Sequence, residues 1–183
     1  MEETTVFAGE PANTLSDLLD IQAIRDVVMR YSRGADRCDR ELLASVFHDD
    51  ATLEYGTFYS GPALGYIDHV LEALRTDSFA TQHTVSNVLV ELDGDRAYVE
   101  AYAVAYHDRT GARRPEETGR LDLWGGRYVD RFERRGGEWR IAHRNCVIDW
   151  TFASRPDGEF AWGPPWGRRD GDDPSYCIPT TGR

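Results

Sequence analysis

Apolar residues fall three or four apart at Leu18, Ile21, Ile24, Val27, Val28 and Tyr31. That spacing places them on one face of an α-helix. Ahead of it, Thr14 followed three residues later by Asp17 has the form of a capping box. Gly34 predicts the end of the helix. The run DRELLASVF (39–47) predicts a second, short helix with Asp39 as its N-cap. HDDATLEYGTFYSG (48–61) predicts a short hairpin turning at Gly56. PALGYIDHVLEALRTD (62–77) predicts a third helix with Pro62 near its first turn.

After residue 78 the period changes from three or four to two. ATQHTVSNVLVEL (80–92), RAYVEAYAVAYH (96–107), WGGRYVDRFERR (124–135) and EWRIAHRNCVIDW (138–150) predict four strands. DGD at 93–95 and RGGE at 135–138 are tight-turn signals. The polar run 108–120 predicts a longer loop. Helices therefore come first and a meandering, mainly antiparallel sheet follows. This is an α+β order, not alternating βαβ. A strongly curved sheet wrapped over three N-terminal helices makes a cone-shaped α+β barrel with one open end.

The ends fall outside this pattern. Residues 1–13 predict a flexible arm, 14–150 the cone domain, and 151–183 a tail. The tail has no periodicity, but it holds Phe152, Phe160, Trp162, Trp166 and Tyr176. Five large aromatics predict that it packs on the domain, over the cone mouth, or on a neighbouring subunit, because exposing that much apolar area is costly.

With 183 residues, 40% hydrophobic and 29% charged, the chain reads as one globular domain. A net charge of −11 argues against nucleic acid, whose phosphates call for a basic surface, and against anionic membranes. No apolar run is long enough to span a bilayer. The acidic start lacks the basic and apolar regions of a signal peptide. Cys38, Cys146 and Cys177 form neither a CxxC pair nor a disulfide framework, which fits a reduced, cytoplasmic setting.

GxGxxG, the P-loop, GxSxG and HExxH are all absent. The five histidines show no metal-ligand spacing, and neither a metal nor an organic cofactor is expected. What remains is a set of polar residues in apolar settings. Tyr31 lies on the apolar face of the first helix. In an unbroken helix Asp36 would sit about 140° round from it. A break at Gly34 would let both face one cavity. His83, Val85, Asn87 and Leu89 share one face of the first long strand. His143 and Arg144 lie on opposite faces of the last strand, so only one of them looks into the cone. Each residue also has a plain structural reading: Asp36 as a helix cap, Tyr31 as a packed ring, Arg144 as an ion-pair partner. A carboxylate that orients and charges a histidine makes a general base, but pattern alone does not pair Asp36 with His83.

YSRGADRCDRELLASVFHDDATLEYG, TQHTVSNVLVELDGDRAYVEAYAVAYH and GGRYVDRFERRGGEWRIAHRNCVIDW resemble the SnoaL-like branch of the nuclear transport factor 2-like superfamily over residues 14–150. Within it they are most similar to the group of scytalone dehydratase, bile-acid 7α-dehydratase and hexachlorocyclohexane dehydrochlorinase. That resemblance implies a lyase needing no cofactor and acting on a hydrophobic cyclic or aromatic oxygenated molecule. It implies His83 as base, Asp36 as its partner, Tyr31 polarising a carbonyl or aiding a leaving group, and Arg144, the last-strand arginine, joining Tyr31 in binding the developing oxyanion or leaving group. Asn87, Tyr55, Tyr102, Trp124 and Tyr128 are the expected substrate-binding residues. The second pocket histidine of the scytalone dehydratases finds no match in the sequence. The same scaffold serves polyketide cyclases, isomerases, formaldehyde-releasing retro-aldol lyases and non-catalytic binders. The resemblance also implies a dimer or trimer built on the open sheet face.

Overall fold

The computed structural model describes residues 14–109, 119–155 and 167–176. Helix α1 (Leu15–Arg37) opens on the expected capping box: Asp17 N–H donates to Thr14 Oγ1, and Thr14 N–H donates to Asp17 Oδ2. Its buried stripe is Ile24, Val27, Val28 and Tyr31, while Leu18 stays exposed. Helix α2 (Arg40–Ser45) is capped by Asp39, whose side chain accepts from Leu42 N–H at 2.9 Å. The hairpin β1 (Phe47–Glu54) and β2 (Ser60–Pro62) precedes helix α3 (Ala63–Asp77). Four long strands then follow: β3 (Ala80–Asp93), β4 (Arg96–Asp108), β5 (Leu121–Arg135) and β6 (Glu138–Ser154).

These strands form one open six-stranded sheet in the order β2-β1-β6-β5-β4-β3. Every pairing is antiparallel except β1 with β6, which is parallel. The three helices lie on its inner side. α1 packs chiefly on β3 and also reaches β6, while α3 covers β1 and β2. The result is the α+β cone expected from the sequence. Among the described residues no helix is long and apolar enough to cross a membrane.

Helix α1 does not stop at Gly34. It continues to Arg37 and ends with Cys38 in the left-handed conformation, φ 51°. Asp39 N–H bonds to Gly34 O, and Cys38 N–H to Ala35 O, which is the Schellman pattern of helix termination. The glycine answers a different need. A Cβ at position 34 would lie 3.0 Å from Leu43 N and 3.1 Å from its Cα, so α2 crosses here at backbone distance.

Four irregularities interrupt the sheet, one of them in the β1–β6 pairing between Phe47 and Thr52 and three in the long antiparallel strands. Opposite β4, β3 carries an extra residue between Ser86 and Leu89. Opposite β5, β6 carries one near Ile141 and another near Ile148. Each extra residue reverses the alternation of faces beyond it. Ile141 and Ala142 are consequently both buried.

The tail begins later than Thr151, since β6 pairs as far as Ser154 with Leu121. Phe160, Trp162 and Trp166 lie outside the described residues, as does the arm 1–13. Residues 167–176 lie against the helix ends. The Tyr176 hydroxyl donates to Asp39 Oδ2 at 2.7 Å, Arg37 pairs with Asp173 at 3.3 Å, and Arg169 donates to the carbonyls of Leu74 and Ser78.

Gly34 offers a direct test of the close helix crossing. In an ordinary helix interior, Gly→Ala stabilises by about 1 kcal/mol. Here the new methyl meets backbone of α2, and overpacking of that kind costs roughly 1–3 kcal/mol. Gly34→Ala is therefore expected to lower the urea midpoint. An unchanged or raised midpoint would show that α2 can move away.

Candidate active site

A cavity of about 570 Å³ opens between α3 and the inner face of the sheet. Its floor is made of Tyr31, Tyr55, Tyr66 and Tyr128. One wall is Val70, Ala73 and Leu74 of α3, and the other includes Trp124, Ile148 and Phe152. His83 and His107 look in from β3 and β4, and Arg109, Arg120 and Asp122 form the rim.

The last turn of α1 holds Asp36 against the start of β3. Its Oδ1 accepts His83 Nδ1–H at 2.7 Å and the Thr81 hydroxyl at 3.0 Å, while its Oδ2 accepts the His83 backbone N–H at 2.9 Å. The His83 and Asp36 side chains are 8% and 13% exposed. Three donors suit an ionised carboxylate. A proton on Nδ1, the tautomer this contact assigns, leaves Nε2 of His83 as the basic atom. The helix thus presents Tyr31 and Asp36 on a wide buried arc, with no break between them.

The Tyr31 hydroxyl lies 2.8 Å from both the Tyr55 and the Tyr66 hydroxyls. The Tyr55 and Tyr66 rings stack with centroids 4.5 Å apart, and the Tyr128 ring meets Tyr31 edge-on at 5.4 Å. Burial pushes the phenols of Tyr55, Tyr66 and Tyr128 well above their ordinary pKa, so they remain neutral donors.

Arg144 sits one layer deeper than the sequence reading put it. Its side chain is wholly buried and does not line the cavity. It forks onto Asp130 at 2.8 and 2.7 Å, and its guanidinium lies 4.1 Å from the Tyr31 ring centroid and 4.0 Å from that of Tyr128. Burial disfavours its charge, but the Asp130 carboxylate outweighs this and holds the proton more tightly than in water. Arg144 therefore supports the tyrosine floor from beneath.

Two expected substrate contacts do not reach the cavity. Asn87 falls at the irregularity in β3 with φ 49°, a left-handed conformation that asparagine tolerates, and it faces solvent. The inward face passes there from Val85 to Val88 and Val90. Tyr102 is 48% exposed on the outer face of β4, beside the outward Tyr98 and Tyr106. Tyr55, Trp124 and Tyr128 do line the cavity.

The sequence reading had not singled out His107 or Tyr66. His83 pairs opposite Ala105, so His107 is its diagonal neighbour on the same face, with ring centroids 5.7 Å apart. The pocket thus holds two histidines. Period two along Ala103, Ala105 and His107 was the available signal. Tyr66 stands one helical turn before Val70 on the buried stripe of α3. At the rim, Arg109 Nε and Arg120 Nη2 both donate to Asp122 Oδ2, at 3.0 and 2.7 Å. Among the described residues no group of three His, Cys, Asp or Glu could hold a metal ion.

Burial, then the nearby charges of His83 and Arg109, lower the His107 pKa to about 3. The unfolded chain takes up this proton near the ordinary pKa of 6.5 and the folded chain only near 3. Between these values the unfolded state binds more protons, so stability falls as pH drops from 6.5 towards 3. His107→Gln should flatten that part of the pH dependence, by an amount on the order of a few kcal/mol. Urea unfolding at neutral pH and near pH 4 checks it, and an unchanged pH slope would remove the argument.

The Arg144–Asp130 pair makes a second expectation. Arg144→Met leaves Asp130 buried without its partner and should cost roughly 3–5 kcal/mol. Asp130→Leu in the same chain should restore much of the loss. A double variant as unstable as Arg144→Met alone would show that the tyrosine stacking, rather than the stranded charge, carries the effect.

Family comparison adds to this geometry. The model of the SnoaL-like domain matches residues 16–145. No curated protein matches the chain. Among solved structures, a candidate scytalone dehydratase from Novosphingobium aromaticivorans is 23% identical, with 80% of this chain and 93% of that one covered and a TM-score of 0.64. A hexachlorocyclohexane dehydrochlorinase from Novosphingobium barchaimii is 20% identical over 82% and 99%, with a TM-score of 0.68. A protein from Kribbella flavida is 21% identical over 74% and 94%, with a TM-score of 0.64. At these identities the solved structures speak for the cone fold, and the family match covers most of the chain that builds it. The protein belongs to the SnoaL-like domain family.

Proposed function

We propose that the chain is a cofactor-independent lyase that eliminates a leaving group from a hydrophobic, cyclic or aromatic oxygenated molecule. The observation that carries this reading is the 2.7 Å contact between Asp36 and His83 at the edge of a largely apolar cavity. A pocket that only held a ligand has no need of a charged partner behind its histidine. A general base needs both, one to take the proton and one to stabilise the cation that results. The dehydratase and the dehydrochlorinase named among the structural neighbours are in keeping with elimination chemistry.

In the proposed reaction Nε2 of His83 takes a proton from a carbon next to a carbonyl group. The electron pair left behind forms the new double bond as the neighbouring carbon–halogen or carbon–oxygen bond breaks; a halide departs as the anion, and a hydroxyl departs as water with the proton that His83 has taken up. Asp36 faces the resulting imidazolium. The tyrosine hydroxyls at the buried floor donate hydrogen bonds to the oxygen that gains charge. His107 is neutral at working pH and accepts or donates a hydrogen bond without bringing a charge of its own.

A panel of cyclic β-hydroxy and β-halo ketones, followed by loss of the leaving group, tests the reading. Deuterium uptake at the acidic carbon in heavy water reports the base alone. His83→Ala removes the acceptor, and Asp36→Asn keeps the shape while withdrawing the charge. Each should lower turnover by about 10²–10⁴. The double variant should be little worse than His83→Ala, because the two act as one unit. Folded single variants with near-wild-type rates on the same substrate would end the proposal.

A further inference from the structure

An α-helix leaves its last carbonyls without partners of its own. Helix α1 meets this need locally, through the closure at Cys38 and Asp39. Helix α3 does not. Its C-cap, Ser78, is extended at φ −135° and ψ 135°, and the Phe79 N–H turns away to Asp108 O at 2.7 Å. Its carbonyls are met from far along the chain instead. Arg169 Nη1 donates to Leu74 O at 2.8 Å and to Ser78 O at 2.9 Å. Arg109 Nη1 donates to Asp77 O at 3.0 Å and to Ser78 Oγ at 3.4 Å. Two positive charges thus hold the negative end of the helix dipole.

The same turn is cavity wall, since Ala73, Leu74, Asp77 and Ser78 all line the space. Arg109 lines it too and is tied to Asp122, whereas Arg169 stands behind the turn and does not line the cavity. Among the described residues Arg169 Nε and Nη2 are shielded from solvent and have no hydrogen-bond partner. The hydrogen bonding of its side chain therefore goes to the end of α3 alone. An arginine placed for an ion pair forks onto a carboxylate, as Arg144 does. Leaving two shielded nitrogens unpaired offsets much of what the carbonyl bonds gain, so Arg169 adds little to global stability.

We propose that Arg169 is a positioning residue that sets the selectivity of the cavity by ligand length: it holds the last turn of α3 in place as wall, acting through Leu74 and Ser78. This rests on the reading of the cavity as the ligand site with its oxygen at the tyrosine floor, but not on His83 acting as a base. Leu74 stands eight residues beyond Tyr66, about 12 Å along the helix. A one-ring ligand on the floor does not reach it, and a ligand extended away from its oxygen does. With the carbonyls released, the turn unwinds from its end and only the longer ligand loses its wall.

The test is binding of two ketones without a leaving group, cyclohexanone and 4-phenylcyclohexanone, to the full chain, followed by NMR titration. Neither can undergo elimination, so failure here leaves the base reading intact. Arg169→Met keeps the stem and removes the charge. It should weaken 4-phenylcyclohexanone by roughly four- to fifteenfold, the worth of one or two buried methylene groups, and leave cyclohexanone unchanged. Arg169→Lys should restore the longer ketone, because an ammonium can donate to two carbonyls where no fork is needed. Amide hydrogen exchange over residues 74–78 should quicken in Arg169→Met and not in Arg169→Lys, with the urea midpoint little changed in either. The proposal is overturned if both ketones weaken alike, if exchange at the turn is unaltered, if Arg169→Lys behaves as Arg169→Met, if the midpoint falls along with the affinity, or if the wild type does not bind 4-phenylcyclohexanone.

Discussion

The ion pair between Arg144 and Asp130 is the point from which the interior is organised. Both side chains are almost wholly out of contact with water, on neighbouring strands of the most extensively paired part of the sheet. A charge so placed is tolerable only with a close, two-pronged partner, and Asp130 supplies it. The guanidinium then offers its flat faces to Tyr31 and Tyr128, a cation against two electron-rich rings. Helix α1 is tied to the sheet through this stack, and the height of Tyr31 above the sheet follows from it. The hydroxyls of Tyr55 and Tyr66 are in turn placed by Tyr31.

From that floor the cavity grows more polar towards its mouth. Neutral phenols lie at the bottom, two histidines in the middle, and two arginines with one aspartate at the rim. The order follows from the fold. The ends of α1 and α3 and the termini of four strands converge at the mouth, and charged residues there keep contact with solvent. The bulk of the walls is carried by α3, β5 and β6. The proposed substrate, an apolar ring with one oxygen directed inwards and an acidic carbon–hydrogen bond midway, suits this gradation.

Asp36 shows how a helix end becomes part of a candidate site. The Schellman closure at Cys38 and Asp39 frees the chain to enter α2 at once, and Gly34 lets α2 cross at backbone distance. Asp39 caps α2 with one carboxylate oxygen and receives Tyr176 with the other. The residues just before it are thereby held against β3, where the backbone N–H of His83 and the hydroxyl of Thr81 complete the shell of Asp36. The orientation of the histidine ring is a consequence of how one helix stops.

Local chemistry wrote much of this structure into the sequence. The capping box at Thr14 and Asp17, the cap at Asp39 and the three-to-four spacing of Ile24, Val27, Val28 and Tyr31 each depend on neighbours a turn away. Alternation put His143 and Arg144 on opposite faces of the last strand, and the α+β order followed from the change of period at residue 78. What the sequence alone could not decide were matters set by partners far along the chain. The extra residues in β3 and β6 are fixed by the curvature of the sheet against its neighbours, and they turned Asn87 outwards although simple alternation put it inside. The nearness of His107 to His83 is a matter of register between two strands. The depth of Arg144 depends on Asp130, fourteen residues away on another strand. Side-chain period is a local property of one strand, but which atoms share a cavity is a property of the whole sheet.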